Sequence, residues 1–412
     1  MSIALSRSRT ALAARDAFLD LLDRCVEGAE IRIVCADGEW VVGRPSTATA
    51  SRPDQVTLLV ERPRFFGRVL AYANLGLGEA FMDGDVEVPD GRLPDLLEVL
   101  VRARLDRKLR GDWRLALRVL GIGLANRLAG AQRNVARHFD VGDDLFEAFL
   151  DPTLTYTCGY ARSEDDDLAS IQQQKLERIC AKLRLRPGAR LLDVGCGYGG
   201  LLIHAARAHG AVGTGIVNSR QHYEGARRRV DAAGLSGRVR IELADHRILP
   251  RLGESYDRVV SVGVLEHLPR REHPRYFASV RAVLAPGGLA LAHFIGCGTS
   301  VNEHDPFIQK YVFPGSCQLK LSEVAGHLER NELAILDVEN MVRHYAITCR
   351  RWLERFRAAR GQLDSARYDE HFQRMFEYYL SLCIAAARAS DGALYQVLYG
   401  NDFASEHPLA RT

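Results

Sequence analysis

The feature that most constrains this fold is a glycine-rich segment directly after a short apolar run, Leu191-Leu192-Asp193-Val194-Gly195-Cys196-Gly197-Tyr198-Gly199-Gly200. It predicts a buried strand that ends in a tight loop, with the loop backbone lying against a ligand. Three of the glycines also satisfy the G-x-G-x-x-G pattern of dinucleotide-binding proteins. Asp193 favours another ligand, because its carboxylate would repel a pyrophosphate but suits the cationic aminopropyl end of S-adenosylmethionine. We therefore interpret the segment as a methyl-donor site.

The chain about twenty residues further on supports this interpretation, because a nicotinamide-binding protein needs an acid there for the ribose. This sequence has Val217-Asn218-Ser219 at that place. A glycine turn that binds no ligand is the remaining alternative.

Length and composition limit the possible classes of protein. A chain of 412 residues is too long for one ordinary core, so we expect two domains. No apolar run is long enough to span a bilayer and no signal peptide is expected, which favours a cytoplasmic protein. The nine cysteines show no C-x-x-C pair and no metal-ligand spacing, so we expect reduced thiols and no metal. The net charge of +3 argues against a nucleic-acid partner.

From residue 138 onward, candidate strands and helices alternate. The predicted strands cover 190–194, 212–217, 239–244, 257–262 and 289–293, and helices over 200–209 and 219–233 lie between them. This alternation predicts an α/β fold, a Rossmann-like doubly wound sheet with parallel strands and right-handed crossovers. Ligands bind at the carboxyl ends of such strands. The residues at those ends are Gly195, Asn218, Asp245, Glu266 and His293.

The rest of the chain predicts two further parts. Residues 1–100 are typical of a small α+β domain, with strands over 31–35 and 56–60, a turn-rich stretch over 45–53 and a helix over 93–101. Residues 300–400 predict a long helical insertion rich in aromatic side chains. We expect more than half of these side chains to be core, and the others to wall an apolar tunnel over the methyl donor, as a lid.

A basic segment over 101–137 links the two predicted domains, 1–100 and 138–412. It carries ten basic side chains against Asp106 and Asp112, a net charge of +8. Leucines recur at helical spacing along it, which predicts an apolar stripe flanked by arginines. The segment is either a solvated linker helix or a helix that presses arginines against anionic lipid headgroups.

Motifs spread over nearly the whole chain follow one known pattern. They are 138–146 (HFDVGDDLF), Tyr156-Thr157-Cys158-Gly159-Tyr160, the glycine loop, Glu266-His267, His293-Phe294-Ile295-Gly296, 310–315 (KYVFPG) and His344-Tyr345-Ala346 with Trp352. In this pattern the chain resembles the cyclopropane-fatty-acyl-phospholipid synthase and mycolic acid cyclopropane synthase family of S-adenosylmethionine-dependent methyltransferases. The segment 78–84 (GEAFMDG) is similar to one in the long, phospholipid-acting members.

The resemblance implies a reaction in which a cis double bond of an acyl chain attacks the sulfonium methyl of S-adenosylmethionine. The resulting carbocation loses a proton as a cyclopropane ring closes, and a bound bicarbonate accepts that proton. The bicarbonate cradle carries over to the side chains of Glu266, His293 and Tyr345 and to the backbone of Cys158 and Ile295. Cys383 matches a cysteine sometimes given an active-site role in the family, and we expect it to line the acyl tunnel.

The resemblance also implies which residues bind the methyl donor. Tyr156 and Thr157 are expected to close over its methionine end, and Asp245 is expected to accept from the adenine amino group beside His246. The full predicted set is Tyr156, Thr157, Asp193, Gly195, Gly197, Gly199, Val217, Asn218, His222, Asp245 and His246. Residues 217–222 depart from the family's T-[IL]-S-x-x-Q segment, so Asn218 becomes the candidate for holding the ribose.

These departures leave the product open, because they affect the donor site and the acyl pocket while the bicarbonate cradle is retained. The product is a cyclopropane ring, a methylene branch or a methyl branch. A small-molecule N- or O-methyltransferase and a catalytically silent lipid-binding protein are the other classes, in which Glu266, His293 and Tyr345 would be structural. The expected partners are an unsaturated phospholipid and an anionic membrane surface. We therefore expect the protein to associate peripherally with the membrane, and a homodimer is a possible assembly.

Overall fold

The computed structural model describes residues 2–45, 55–105, 142–251, 253–298, 304–389 and 392–402, with side chains from residue 11 onward. Most of the predicted basic segment, 106–137, lies outside the described residues, as does the start of the first family motif, 138–141.

The described elements follow one another along the chain in this order. The strands are β1 Ala29–Cys35, β2 Gly38–Arg44, β3 Gln55–Val60, β4 Val86–Glu87, β5 Arg190–Val194, β6 Val212–Val217, β7 Val239–Leu243, β8 Tyr256–Val262, β9 Leu284–Cys297, β10 Ala334–Asn340 and β11 Gly392–Gly400. The α-helices are α1 Ser2–Cys25, α2 Arg64–Met82, α3 Leu93–Ala103, α4 Asp143–Phe149, α5 Leu168–Lys182, α6 Gly200–His209, α7 Arg220–Ala232, α8 His273–Val283, α9 Pro306–Tyr311, α10 Leu321–Arg330, α11 Val342–Ala359 and α12 Glu370–Arg388. Short 3₁₀-helices cover Pro89–Gly91, His246–Arg251, Leu265–His267, Arg270–Glu272 and Arg360–Gln362.

The described residues fall into two compact units. Unit 1 takes its residues from 1–141, 305–314 and 356–389, and unit 2 takes its residues from 142–304, 315–355 and 390–412. Unit 1 therefore combines the N-terminal part of the chain with two segments of the predicted 300–400 insertion. The boundaries predicted at residues 100 and 137 fall within unit 1.

Unit 2 is built on a seven-stranded sheet of order β10-β11-β9-β8-β5-β6-β7. The five strands from β9 to β7 run parallel, and β11 pairs antiparallel with both β9 and β10. Helices and strands alternate through 168–297 as the sequence predicts, and β5, β6 and α6 have the predicted bounds. The doubly wound α/β fold is confirmed.

The prediction of one helical segment over 300–400 is wrong at two places, because β10 and β11 belong to the sheet. Most residues of β11 are buried on both faces of the strand. A short apolar run of this kind has no alternation, and its pattern does not distinguish a buried strand from a helix.

Two apolar clusters cover the two faces of the unit 2 sheet. Leu192, on β5, belongs to one cluster together with Phe277 of α8. Its neighbour Leu191 belongs to the other cluster, together with Ile179 of α5 and Leu202 of α6. Successive side chains of a strand point to opposite faces, so helices pack on both sides of the sheet. This packing leaves the carboxyl ends of the parallel strands to form the site.

Unit 1 contains a four-stranded sheet of order β2-β1-β3-β4. Phe18 of α1 packs edge-on against Phe65 and Phe66 of α2, with ring centroids 5.5 Å apart in both pairs. The helix α2 is interrupted at Ala73, whose φ is 48°. Among the described residues, no helix combines the length and the apolar character that a bilayer span requires.

The acidic motif of unit 1 is a structural network. Glu79 accepts hydrogen bonds from Lys310 Nζ at 2.6 Å and from the Tyr311 hydroxyl at 2.9 Å. The fully buried Asp85 accepts from Arg62, Arg64 and Arg68. Buried carboxylates with several charge-assisted partners fix the surrounding backbone. The segment 78–84 therefore ties 305–314 to the N-terminal part of unit 1.

Candidate active site

The glycine loop after β5 leaves open space at one of its glycines. Gly195 has φ +83°, and a Cβ added there would lie 2.4 Å from Val264 Cγ2, so the protein itself excludes a side chain. Gly197 has φ +52°, and an added Cβ would meet no atom within 4 Å. Gly199 directly precedes α6. A loop that binds a ligand must leave room for it, and the open space at Gly197 provides such room.

Asp193 is buried in β5 next to a cation that sequence analysis missed. Lys175 of α5 is also buried, and its Nζ donates to Thr157 Oγ1 at 3.1 Å. Burial raises the pKa of Asp193 to about 7, an effect that Lys175 partly offsets. Burial lowers the pKa of Lys175 to about 8. Asp193, which we predict to hold the aminopropyl end of the donor, therefore already has a cationic neighbour in Lys175.

The segment predicted to close over the methionine end lies in an aromatic cluster. The centroid of the Tyr156 ring lies 5.1 Å from that of Trp352, 5.5 Å from that of Phe146 and 5.6 Å from that of Phe149. The Thr157 carbonyl accepts from Gln172 Nε2 at 2.8 Å. Tyr156 and Thr157 are thereby held by α4, α5 and α11 of unit 2.

Gly263 connects this segment to the loop after β8. A Cβ added at Gly263 would lie 2.9 Å from Thr157 Cγ2 and 4.0 Å from Glu266 Oε1. The Gly263 N–H donates to the His293 carbonyl at 2.8 Å. The sequence analysis did not identify Gly263. Its backbone lies beside both Thr157, a predicted donor-binding residue, and the predicted catalytic residues Glu266 and His293.

The predicted ribose-binding residues lie where β6 ends. Val217 is buried, and Asn218 is exposed at the carboxyl end of the strand. His222 packs edge-on against Tyr198 at 4.9 Å, and the Tyr198 hydroxyl donates to Asp143. This edge of the glycine loop is therefore fixed, while the contacts of these residues with a donor stay a prediction.

The predicted adenine-binding residues follow β7, the neighbouring strand. Asp245 accepts from Arg247 Nε at 2.7 Å, a partner that the sequence analysis did not identify. The His246 ring is buried, 5.6 Å from that of Tyr276. Burial alone would raise the pKa of Asp245, but the hydrogen bonds from Arg247 and the nearby positive charge together outweigh it and lower the pKa. Asp245 therefore stays ionised at neutral pH and can accept from an amino group.

One hydrogen bond and one apolar cluster bring four of the predicted catalytic residues together. Glu266 Oε1 accepts from the Ile295 N–H at 3.1 Å. Ile295 and Tyr345 pack against the apolar cluster that Cys158 forms with Met341 and Leu394 in unit 2. His293 lies two residues before Ile295 on β9, so the two side chains emerge on the same face of the sheet. The structure thus brings the five residues of the predicted cradle into one region.

Two of these residues carry buried polar atoms that lack a partner. Glu266 Oε2 and His293 Nε2 are buried and have no hydrogen-bond partner among the described residues. Burial raises the pKa of Glu266 to about 7. Burial lowers the pKa of His293 well below its usual range, with Lys175 and Lys182 adding to the effect, so the imidazole is neutral. An unpaired buried polar group is costly, and such groups mark places where a polar ligand fits.

The two cysteines of the predicted site differ in placement. Burial raises the pKa of the Cys158 thiol to about 12, so it is not a thiolate at neutral pH. The neighbouring Gly159 N–H donates to Thr348 Oγ1 at 3.0 Å, which ties this segment to α11. Cys383 lies on α12 and belongs to unit 1, whereas Cys158 belongs to unit 2.

One group of possible metal ligands lies among the described residues. Cys180, His204 and His209 offer ligand atoms within 4.8 Å of one another. Each histidine Nε2 lies 3.1 Å from the same oxygen, Glu177 Oε2. Hydrogen bonds to this carboxylate satisfy both imidazoles without an ion.

Comparisons with known proteins show the family to which the chain belongs. The sequence model of the family described as Mycolic acid cyclopropane synthetase matches residues 126–397. The cyclopropane-fatty-acyl-phospholipid synthase of Escherichia coli (strain K12) is 38% identical over 354 residues, 85% of this chain and 90% of that protein. Tuberculostearic acid methyltransferase UfaA1 of Mycobacterium tuberculosis is 33% identical over 399 residues, 91% of this chain and 89% of that protein.

A solved structure also matches. The crystal structure of mycolic acid cyclopropane synthase CmaA1 complexed with SAH and CTAB has a TM-score of 0.58 at 27% identity, and covers 64% of this chain and 96% of that chain. The residues matched by the family model, 126–397, include every residue of the predicted site.

Proposed function

The chain belongs to the mycolic acid cyclopropane synthetase family, and we propose that it transfers a methylene carbon from S-adenosylmethionine to the cis double bond of an unsaturated phospholipid acyl chain. The product is a cyclopropane fatty acyl chain. The Escherichia coli relative, named for this activity, covers 85% of the chain, and the structure complexed with SAH supports S-adenosylmethionine as the methyl donor.

The observation that carries this proposal is the convergence of Glu266, His293 and Ile295 around two unpaired buried polar atoms. These residues adjoin the loop after β8, which contacts Thr157 of the proposed donor site. A polar position beside a methyl-donor site is what removal of a proton after methyl transfer requires. A silent lipid-binding protein would have no need to bury a neutral histidine and a carboxyl group without partners.

The aromatic cluster of unit 2 supports the first step. An alkene is a weak nucleophile, so the site must align it with the methyl group, exclude water and stabilise positive charge. Trp352 is buried, and the centroid of its ring lies 5.1 Å from that of Tyr156 and 6.5 Å from that of Tyr345. The faces of these rings can stabilise a carbocation that develops nearby.

The residues present also fit the bicarbonate that the family resemblance implies. Neutral His293 can donate from Nε2, and Glu266, with a pKa near 7, can share a hydrogen through Oε2. Bicarbonate bound there supplies a base for the proton that leaves on ring closure. The Ile295 N–H already donates to Glu266 Oε1, so its proposed role at the cradle includes orienting this carboxyl group.

A methyl-branched product is the second candidate, because UfaA1, named tuberculostearic acid methyltransferase, covers 91% of the chain. The test is incubation with labelled S-adenosylmethionine and mixed phospholipid vesicles, followed by mass spectrometry of the acyl chains. A gain of one CH₂ with loss of the alkene supports the ring. A saturated methyl branch requires a hydride as well as the methyl group, so the incubation is repeated with a nicotinamide hydride donor, and a methyl branch formed there supports the second candidate. Absence of label from the lipid in both incubations contradicts both.

We also propose peripheral association with an anionic membrane surface from the cytoplasmic side, since an acyl chain of a bilayer must reach the site. The +8 charge of 101–137 supports this proposal. Arg102 is engaged elsewhere, because its Nε donates to Glu98 at 2.9 Å. A homodimer stays a prediction, which sedimentation at several protein concentrations would test.

The docking test replaces Arg104, Arg107 and Arg110 with glutamine, with Arg238→Gln, at an exposed arginine of unit 2, as the control. The triple variant should need more anionic lipid for half-maximal rate, and the control should not. Binding to vesicles should weaken at high salt, because salt screens exposed charges. Equal co-sedimentation with neutral and anionic vesicles, unaffected by salt or by the triple variant, would leave the segment a linker.

A further inference from the structure

The hydrogen-bond partner of His293 determines which ring nitrogen carries the hydrogen. His293 Nδ1 lies 3.1 Å from Gln396 Nε2, inside the sheet. An amide nitrogen only donates, so Nδ1 must accept, and the hydrogen of the neutral ring sits on Nε2. Nε2 is the unpaired atom at the candidate active site.

The orientation of the Gln396 amide is itself determined by a buried lysine. Lys182 Nζ lies 2.8 Å from Gln396 Oε1. An ammonium group only donates, so it requires the amide oxygen on its side and turns the amide nitrogen towards His293. A rotated amide would place its N–H groups against the ammonium. The tautomer of His293 thus follows from the position of Lys182.

Lys182 is in turn held by acidic residues. Its Nζ donates to Glu339 Oε2 at 2.6 Å and lies 3.6 Å from Asp337 Oδ2. Glu339 also accepts from Arg178 at 2.6 Å. Lys182 is 5% exposed and Gln396 is 0% exposed. Burying an ammonium is a poor way to gain stability, so this arrangement calls for another reason.

The sheet register fixes the whole row. His293 of β9 pairs with Gln396 of β11, and Gln396 pairs with Glu339 of β10. Three directly opposed positions on three neighbouring strands therefore form one line, which α5 completes with its last residue, Lys182. Their side chains have little freedom to reach other partners.

We propose that Gln396, oriented by Lys182 and Glu339, is a positioning residue that holds His293 in the tautomer with its hydrogen on Nε2, ready to donate to an anion at the active site. The kinetic part of this inference rests on the proposed function. The tautomer itself can be observed in the protein without turnover.

The test compares Gln396→Glu with wild type, using protein labelled with ¹⁵N in histidine. Wild-type His293 should give the NMR signature of a neutral ring protonated at Nε2. In the variant a carboxylate faces Nδ1, so the ring should become protonated at Nδ1. We expect kcat to fall about 10- to 100-fold, as for other residues that orient an active-site ligand, with KM for S-adenosylmethionine changed only a few-fold.

Three further variants separate positioning from general damage to the fold. Lys182→Met leaves Gln396 in place but lets its amide rotate, and should give a mixture of tautomers. Lys182→Arg keeps a donor and should restore the wild-type signature. Gln373→Glu alters a glutamine of unit 1 that bonds Arg360, and should change neither the spectrum nor kcat.

The possible results distinguish the two claims. A wild-type ring protonated at Nδ1, a spectrum unchanged by Gln396→Glu, or a tautomer shift with normal kcat would overturn the inference. Wild-type protein that modifies no lipid, yet shows the Nε2 tautomer and its shift in Gln396→Glu, would overturn the proposed function and retain the orientation of His293.

Discussion

Replacing Glu266 with glutamine should remove activity and, at the same time, remove a pH-dependent cost to stability. The carboxyl group is buried, and its pKa is raised from 4.5 to about 7. The folded protein therefore holds this proton over a pH range in which the unfolded chain has lost it. The contribution of the Glu266 carboxyl group to the free energy of unfolding is fully present below pH 4.5 and is lost as the pH rises through about 7.

The magnitude follows from the pKa shift. A shift from 4.5 to about 7 corresponds to about 3 kcal/mol in the free energy of unfolding. About 2.5 kcal/mol of this is lost between about pH 5 and about pH 8. Glu266→Gln cannot ionise, so its stability relative to wild type should rise by that amount over the same interval.

Urea unfolding of both proteins at the two pH values measures this difference, because the titration of all other groups is shared. Glu254→Gln is the control: a hydrogen bond from Tyr256 lowers the pKa of Glu254, so the pH-dependent effect of this group lies below about pH 4.5 and should be close to zero between the two pH values of the test. Turnover of Glu266→Gln should fall about 100-fold or more, with affinity for S-adenosylmethionine within a few-fold of wild type. A stability difference independent of pH would refute the burial argument, and retention of more than half the activity with ample bicarbonate would refute the catalytic role.

Two further predictions concern the methyl-donor site. Gly197→Val should abolish calorimetric binding of S-adenosylmethionine in a folded protein, because the side chain would fill the open space at the loop; Gly188→Val, at φ +79° and equally open, is the matched control for backbone strain and should bind normally. Affinity for S-adenosylmethionine should fall as pH drops below about 7, because Asp193 becomes protonated there. Asp193→Asn should bind weakly at every pH, and a variant with wild-type affinity would contradict a role for this carboxylate.

The sequence predicted the parallel part of the fold because its strands and helices carry distinct periodicities. β5 and α6 have the predicted bounds, since the short apolar run and the glycine loop delimit them. β10 and β11 escaped prediction because their partners lie far away in the chain: β11 pairs with β9 about a hundred residues earlier. Sequence patterns carry little information on such pairings.

The site residues also divide into those that the sequence could predict and those that it could not. Glu266 and His293 could be proposed because they follow strands and match a family motif. Lys175 and Gln396 could not, because their role depends on contacts across the sheet. The one available signal for Lys175 was its place on the apolar face of α5, where neighbours such as Leu176 and Ile179 are buried. A lysine at such a position requires a buried partner.

The central claim is that this chain closes a cyclopropane ring on a phospholipid acyl chain, and the fate of the donated hydrogens tests it most directly. The enzyme would be incubated with S-adenosylmethionine trideuterated at the methyl group and with vesicles containing cis-monounsaturated phospholipid. Ring closure requires loss of one hydrogen from the new carbon, so the product should be saturated and carry two deuterium atoms. A chain that keeps all three deuterium atoms in a methyl branch, or that keeps two in an exocyclic alkene, would contradict the claim.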